Sequence, residues 1–194
     1  MHALIAKAMA LLAVLTLTSA GALTADMATP LHDAVRLVRT LASPVQLHGR
    51  VVGVTDGDTI TVLDSNMRRH IVRLSGIDAP EKAQPFGNRA KSHMASLVFN
   101  QNVIVTVRMS SERHGRVLGL IHDSAGKDIN LAMIEAGYAW HAKAFERDQP
   151  PKEARAYAQA EQQAMSSKTG LWQDAHPIAP SDWRKAHRSP APGR

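Results

Sequence analysis

The chain has 194 residues, 44% of them hydrophobic, a formal net charge of +6 and no cysteine. That length allows one ordinary domain with extensions, and the missing thiols exclude disulfides, thiolate zinc sites and a cysteine nucleophile. The basic balance favours a polyanionic partner such as nucleic acid or an anionic surface, because clustered basic side chains concentrate anions near them.

At the N-terminus, Lys7 precedes an apolar run from Ala8 to Leu17 and then the small residues Thr18 to Ala22. This is the pattern of a secretory signal peptide over residues 1–25, with Ala20, Ala22 and Ala25 as alternative cleavage points. An uncleaved N-terminal anchor is the competing reading, since the apolar stretch nearly suffices to span a bilayer. The expected destination is outside the cytoplasm, secreted or periplasmic. From Asp26 to Ser43, Leu31, Val35, Val38 and Leu41 recur at helical spacing, and Pro44 blocks continuation, so residues 26–45 read as a short amphipathic helix and linker.

The period then changes. Leu47–Val54, Thr59–Leu63 and Arg69–Leu74 are β runs rich in Val, Ile and Thr, separated by Asp56-Gly57-Asp58 and Asp64-Ser65-Asn66, which are hairpin signals. A helix is expected from about Asn88 to Phe99, with Ala90, Met94, Leu97 and Val98 on one side. Two more strands follow, Val103–Met109 and Arg116–His122, then a turn over Asp123–Asp128 and a short helix over Ile129–Ala136 stopped by Gly137. Pro150 to Ser167 is bounded by prolines at its start and Gly170 beyond its end, which marks a further helix. Residues 174–194 carry Pro177, Pro180, Pro190 and Pro192 among basic residues, a composition expected to form a disordered basic tail. Five strands interrupted by one helix and followed by others suit an α+β fold: a small Greek-key barrel with helices packed on one side.

Two acidic turns stand out for chemistry. Asp56-Gly57-Asp58-Thr59 and Ile77-Asp78-Ala79-Pro80-Glu81 supply carboxylates and backbone carbonyls, the mixture a hard divalent ion accepts, although for Asp-Gly-Asp alone turn statistics favour a plain hairpin turn with solvated carboxylates. Arg73 and Arg116 sit at strand ends and can form paired hydrogen bonds to phosphate oxygens. Carboxylates beside a phosphate clamp make sense for hydrolysis, which needs positive charge on the phosphoryl oxygens and a base for water. His93, His114, His122 and His141 lack the close spacing of a transition-metal site, and Trp140 and Trp172 read as packing residues.

Taken in order, Asp56-Gly57-Asp58-Thr59-Ile60, Val72-Arg73-Leu74-x-Gly76-Ile77-Asp78-Ala79-Pro80-Glu81, Gln84-Pro85-x-Gly87, His114-Gly115-Arg116, Gly137-Tyr138-Ala139-Trp140 and Gly170-Leu171-Trp172 resemble the staphylococcal-nuclease-like (thermonuclease) family over roughly Leu47 to Trp172. The resemblance implies a nuclease domain over residues 46–173, built as a five-stranded OB-type barrel with three packed helices, acting as a monomeric calcium-dependent endonuclease on DNA and RNA. It implies Asp58, Asp78 and the Ala79 backbone carbonyl as Ca2+ ligands, with Asp56 in the outer shell. It further implies Glu81 as general base, with Arg73 and Arg116 on the scissile phosphate. Arg113, His114 and His141 are the expected nucleic-acid contacts. The family often has threonine at the position of Ala79 and tyrosine at that of His114, and a tyrosine-rich run where this chain has His141, Ala142 and Phe145. The alternative from another class is a catalytically weak nucleic-acid- or protein-binding module on the same barrel.

Overall fold

The computed structural model describes residues 44–111 and 116–187. The expected leader, the helix over residues 26–43, Arg113 and His114 lie outside the described residues, as does the end of the tail. Strands β1 (Gln46–Val54), β2 (Thr59–Asp64), β3 (Arg69–Leu74), β5 (Asn102–Ser111) and β6 (Arg116–Asp123) close into a barrel of order β1-β2-β3-β6-β5. All its pairs are antiparallel except β3 with β6, which run parallel. This is the OB-type α+β architecture expected from the motifs.

Two turns, the β2–β3 hairpin and the turn after β6, are set by aspartate side chains. Asp64 Oδ1 accepts from the Asn66 and Arg68 amides at 2.8 and 2.9 Å, and Asp123 Oδ1 accepts from Ala125 and Lys127 at 2.9 Å each. A carboxylate that caps its own turn in this way competes with continued strand and forces reversal. Irregular register at Val51–Gly53 in β1 and at Val107–Met109 in β5 gives the two bulges that let long strands bend around a small barrel. Val51, Ile60, Val62, Val72, Leu74, Val105 and Ile121 fill its interior.

Between β4 (Ile77–Asp78) and β5 lies α1 (Gly87–Val98), whose buried residues Ala90, Met94 and Val98 recur every fourth position. That stripe faces the core, as its apolar spacing requires. Removing most of the Met94 side chain, which has no exposed surface, should cost about 2–5 kcal/mol. Next come α2 (Ile129–Glu135), β7 (Trp140–His141), a 3-10 turn over Lys143–Asp148, and α3 (Pro151–Ser166). Asp128 caps α2 by accepting from the Leu131 amide at 2.9 Å, and the buried Tyr157 hydroxyl of α3 donates to the same carboxylate at 3.1 Å. Trp172, in a second 3-10 turn (Gly170–Gln173), meets Trp140 edge-on with ring centroids 5.2 Å apart, the packing role expected of both.

The tail departs from expectation. A fourth helix among the described residues, α4 (Pro180–Ala186), follows the second 3-10 turn. Pro180 is buried at its start, Asp182 lies in its first turn and Arg184 and Lys185 in its last, so proline geometry and the helix dipole both favour it. Mean composition said disorder, while these local signals said helix.

Among the described residues no helix is long and apolar enough to cross a membrane.

Candidate functional site

The site grows from the turn between β1 and β2 and from the corner after β3. In the first, Asp56 Oδ1 accepts from the Asp58 amide at 3.0 Å, tightening the turn so that the Asp58 side chain points inward. Gly57 is required there, because a Cβ would lie 2.7 Å from that of Ala79 and 2.8 Å from that of Ala90. The second element is fixed by Asn130, which has no exposed surface. Its Nδ2 donates to the Ser75 and Gly119 carbonyls at 2.9 and 3.2 Å, and its Oδ1 accepts from the Ile121 amide at 3.1 Å. From that corner β4 pairs with β7, Asp78 opposite Trp140, which sets the direction of the Asp78 side chain.

Arg73 joins the two acidic segments. Its Nη1 donates to Asp58 Oδ1 and its Nη2 to Asp78 Oδ1, both at 2.8 Å. One planar guanidinium thus bridges two carboxylates that lie far apart in sequence. Asp58 is 2% exposed and also accepts from the Thr59 hydroxyl at 3.0 Å and the Ala79 amide at 2.8 Å. Burial pushes its carboxyl up to about 7; the Arg73 charge opposes that rise, and neighbouring Asp56 adds to it. Such a carboxylate gains when a cation arrives beside it.

Arg116 belongs to the same surface by register. It pairs with Ile71 across the parallel β3–β6 ladder, and Arg73 follows Ile71 by two residues, so both arginines sit on the outer face of the barrel. The buried partners of that ladder, Val72 and Leu74, point the opposite way.

Glu81 lies on the loop before α1. Gln84, itself buried, accepts from the Glu81 amide through Oε1 at 3.1 Å, and the Gln84 amide donates to the Glu81 carbonyl at 2.8 Å. Gly87 is packed under the Glu81 carbonyl so closely that any side chain would collide with it. The loop therefore holds Glu81 by its backbone and leaves the carboxylate half-exposed.

Sequence reasoning missed Arg184. Its Nη2 donates to Asp78 Oδ2 at 2.8 Å, and its Nη1 donates to Asp78 Oδ1 at 3.1 Å and Glu81 Oε1 at 2.7 Å. Its hydrogen bonds to Asp78, and then to Glu81, hold it above the ordinary arginine range. The helix signals of α4 were present in the sequence, but nothing there pointed to where the helix would land.

His141 is more enclosed than a nucleic-acid contact on an open surface would be. It is 4% exposed, its Nε2 lies 2.8 Å from Gln149 Oε1, and its ring packs edge-on against Tyr157. It pairs with Ile77 in the short β4–β7 ladder and lines the cavity beside Arg73, so most of the ring is packed and little of it faces solvent.

Beside the acidic cluster opens a cavity of about 500 Å3, lined by Arg73, Asp78, Lys143, Phe145 and, on one wall, Pro180 and Arg184. Phe145 is largely exposed there. Among the described residues, no three His, Cys, Asp or Glu side chains cluster closely enough to hold a metal ion unaided.

A closed mixed barrel with helices packed beside it, on which Arg73 joins two carboxylates, defines an OB-type α+β protein. Residues 71–174 match the model of the family described as "Staphylococcal nuclease homologue". An Escherichia coli protein named "Uncharacterized endonuclease" is 41% identical over 138 residues, covering 71% of this chain and 85% of its own. A Haemophilus influenzae protein of the same name is 38% identical over 139 residues, covering 72% and 74%. A Shigella flexneri protein named "Micrococcal nuclease" is 35% identical over 164 residues, covering 80% and 91%. This chain belongs to the staphylococcal nuclease homologue family.

Proposed function

We propose that the protein is an exported, calcium-dependent endonuclease that hydrolyses phosphodiester bonds in DNA or RNA. The observation that carries this reading is the bridging of Asp58 and Asp78 by Arg73, with Glu81 linked to the same Asp78 through Arg184. Family membership and the nuclease names of the relatives support the reaction class. The leader pattern in residues 1–25 supports export.

The donor set suits a hard ion. Asp58 and Asp78 offer oxygen only, and the guanidinium of Arg184 already sits as a cation against Asp78. Two carboxylates leave most of the six to eight oxygen positions of calcium to the Ala79 backbone carbonyl, to water and to a phosphate oxygen, with Asp56 reaching it through water. Bound there, calcium would supply Lewis-acid charge to the phosphoryl oxygens.

The remaining work falls to side chains. Arg73 and Arg116 hold the scissile phosphate from the barrel face and counter the charge that builds on its equatorial oxygens. Glu81, half-exposed on a backbone-braced loop, takes a proton from the attacking water. The new P–O bond forms as the opposite P–O bond to the leaving sugar oxygen breaks, an in-line displacement that rewards fixed orientation. Arg73 gives up one carboxylate partner as the phosphate arrives, which its two-armed geometry permits. In this reading the protein acts as a monomer.

The test is to incubate the protein with single-stranded DNA, double-stranded DNA and RNA, with calcium or with chelator. Cleavage that requires calcium is the expected result. Cleavage unaffected by chelator would refute the metal assignment, and no cleavage of any substrate would refute the activity.

A further inference from the structure

The C-terminal segment places a positive group where the proposed reaction needs an ion and a free base. Arg184 lies beyond residues 71–174, the stretch that matches the family. Three observations bear on what it does there.

First, its partners are chosen. One Nη donates to both Asp78 and Glu81, and the other completes a two-pronged contact with Asp78. Asp78 cannot offer those oxygens to an ion, nor Glu81 its Oε1 to water, while the guanidinium stays. Second, the segment is strapped to the loop that carries the base. Gln84 Nε2 donates to the Ile178 carbonyl at 2.6 Å while Gln84 Oε1 accepts from the Glu81 amide, and Pro180 is buried at the start of α4. One glutamine thus ties the tail and the Glu81 loop together. Third, the contact is reversible in kind. The Arg184 and Glu81 side chains are 41% and 37% exposed, so that arm adds little net stability, while Asp78, 15% exposed, is the partner an incoming ion would have to take over. A divalent cation brings twice the charge of the guanidinium and can displace it.

We propose that α4 is an intramolecular cap in which Arg184 occupies the cation side of Asp78 and neutralises Glu81 until a divalent ion displaces it. The proposal rests on the metal assignment above. It makes the free chain self-blocked, with calcium both completing the site and opening it. The cap also forms one wall of the cavity beside Arg73, so its departure widens the approach for a nucleic-acid strand.

The test is calcium titration by isothermal calorimetry, without nucleic acid, on the purified chain and its R184A, R184K and K185A variants. Lys185 pairs with Asp182 on the exposed side of α4 and controls for the loss of one positive charge nearby. R184A should bind calcium about three- to tenfold more tightly, the gain expected when a cap closed about two thirds to nine tenths of the time is removed. R184K, which keeps the charge but loses the fork, should fall between R184A and wild type, and K185A should match wild type. Hydrogen exchange gives a second readout: calcium should speed exchange of the amides in residues 183–187 of the wild type. If R184A binds calcium no more tightly than K185A, or calcium leaves exchange in α4 unchanged or slower, the cap is refuted while the proposed nuclease stands. If no form binds calcium, both fall.

Discussion

Replacing Asn130 by alanine tests how the site is aimed, because this side chain touches no proposed catalytic group yet fixes the corner from which Asp78 projects. Three hydrogen bonds disappear. The Gly119 carbonyl keeps the Ser75 amide as a partner at 2.8 Å, so the groups left without that support are the Ile121 amide and the Ser75 carbonyl. A buried polar group left unpaired costs about 1–3 kcal/mol, which gives about 4 kcal/mol for the pair. That is a large share of the roughly 5–15 kcal/mol by which domains of this size are stable. With a urea slope of about 2 kcal/mol per molar, the unfolding midpoint should fall by about 2 M. The assay is urea unfolding followed by tryptophan fluorescence, with chelator present so that ion binding does not contribute. Asn130→Asp sharpens the result. The carboxylate keeps the acceptor for Ile121 but turns a second acceptor on two carbonyls, so it should be at least as damaging at neutral pH and partly recover in acid, when a protonated carboxyl can donate. A midpoint for Asn130→Ala within a few tenths molar of wild type would refute the reasoning.

Glu81→Gln should lower turnover by about 10^2 to 10^4-fold, the usual contribution of a general base, with nucleic-acid affinity largely kept; wild-type turnover would remove Glu81 from that role. Arg73→Lys should lower kcat/KM substantially even though the charge is kept, since one ammonium cannot span two partners, and steady-state kinetics would show an unchanged value if the fork does not matter. Asp58→Asn in chelator should raise stability above neutral pH. The folded-state carboxyl of Asp58 sits near 7 against 3.8 for an ordinary one, so its ionisation costs stability as pH rises from about 4 to about 7 and costs nothing further above that. Urea midpoints of wild type and variant should therefore converge toward pH 4 and separate by pH 8, with the variant unable to gain stability from calcium; wild-type stability that rises over this range relative to the variant would contradict the burial argument.

The barrel was legible because strand and helix periods differ and because each hairpin aspartate announces a turn locally. Asp56, Asp58, Arg73 and Asp78 could be picked out as chemically suited, but only the closing of β2 onto β3 and of β4 onto β7 shows that the Arg73 guanidinium joins Asp58 to Asp78. The burial of His141 was not legible, because a two-residue strand gives too short an alternation to tell inside from outside. Arg184 was hidden by averaging. The tail is polar and proline-rich as a whole, and a helix of two turns anchored by one buried proline and one glutamine contact contributes little to such an average.

The single parallel pairing in the barrel has a further meaning. Strands β3 and β6 can lie side by side only after the intervening chain, including α1 and β5, has crossed over and found its place. The two barrel arginines are thus kept apart in any chain that has folded only in part. A nascent or unfolded copy carries all the reactive groups but no assembled blade, so the proposed cutting of nucleic acid requires this long-range strand contact to be in place.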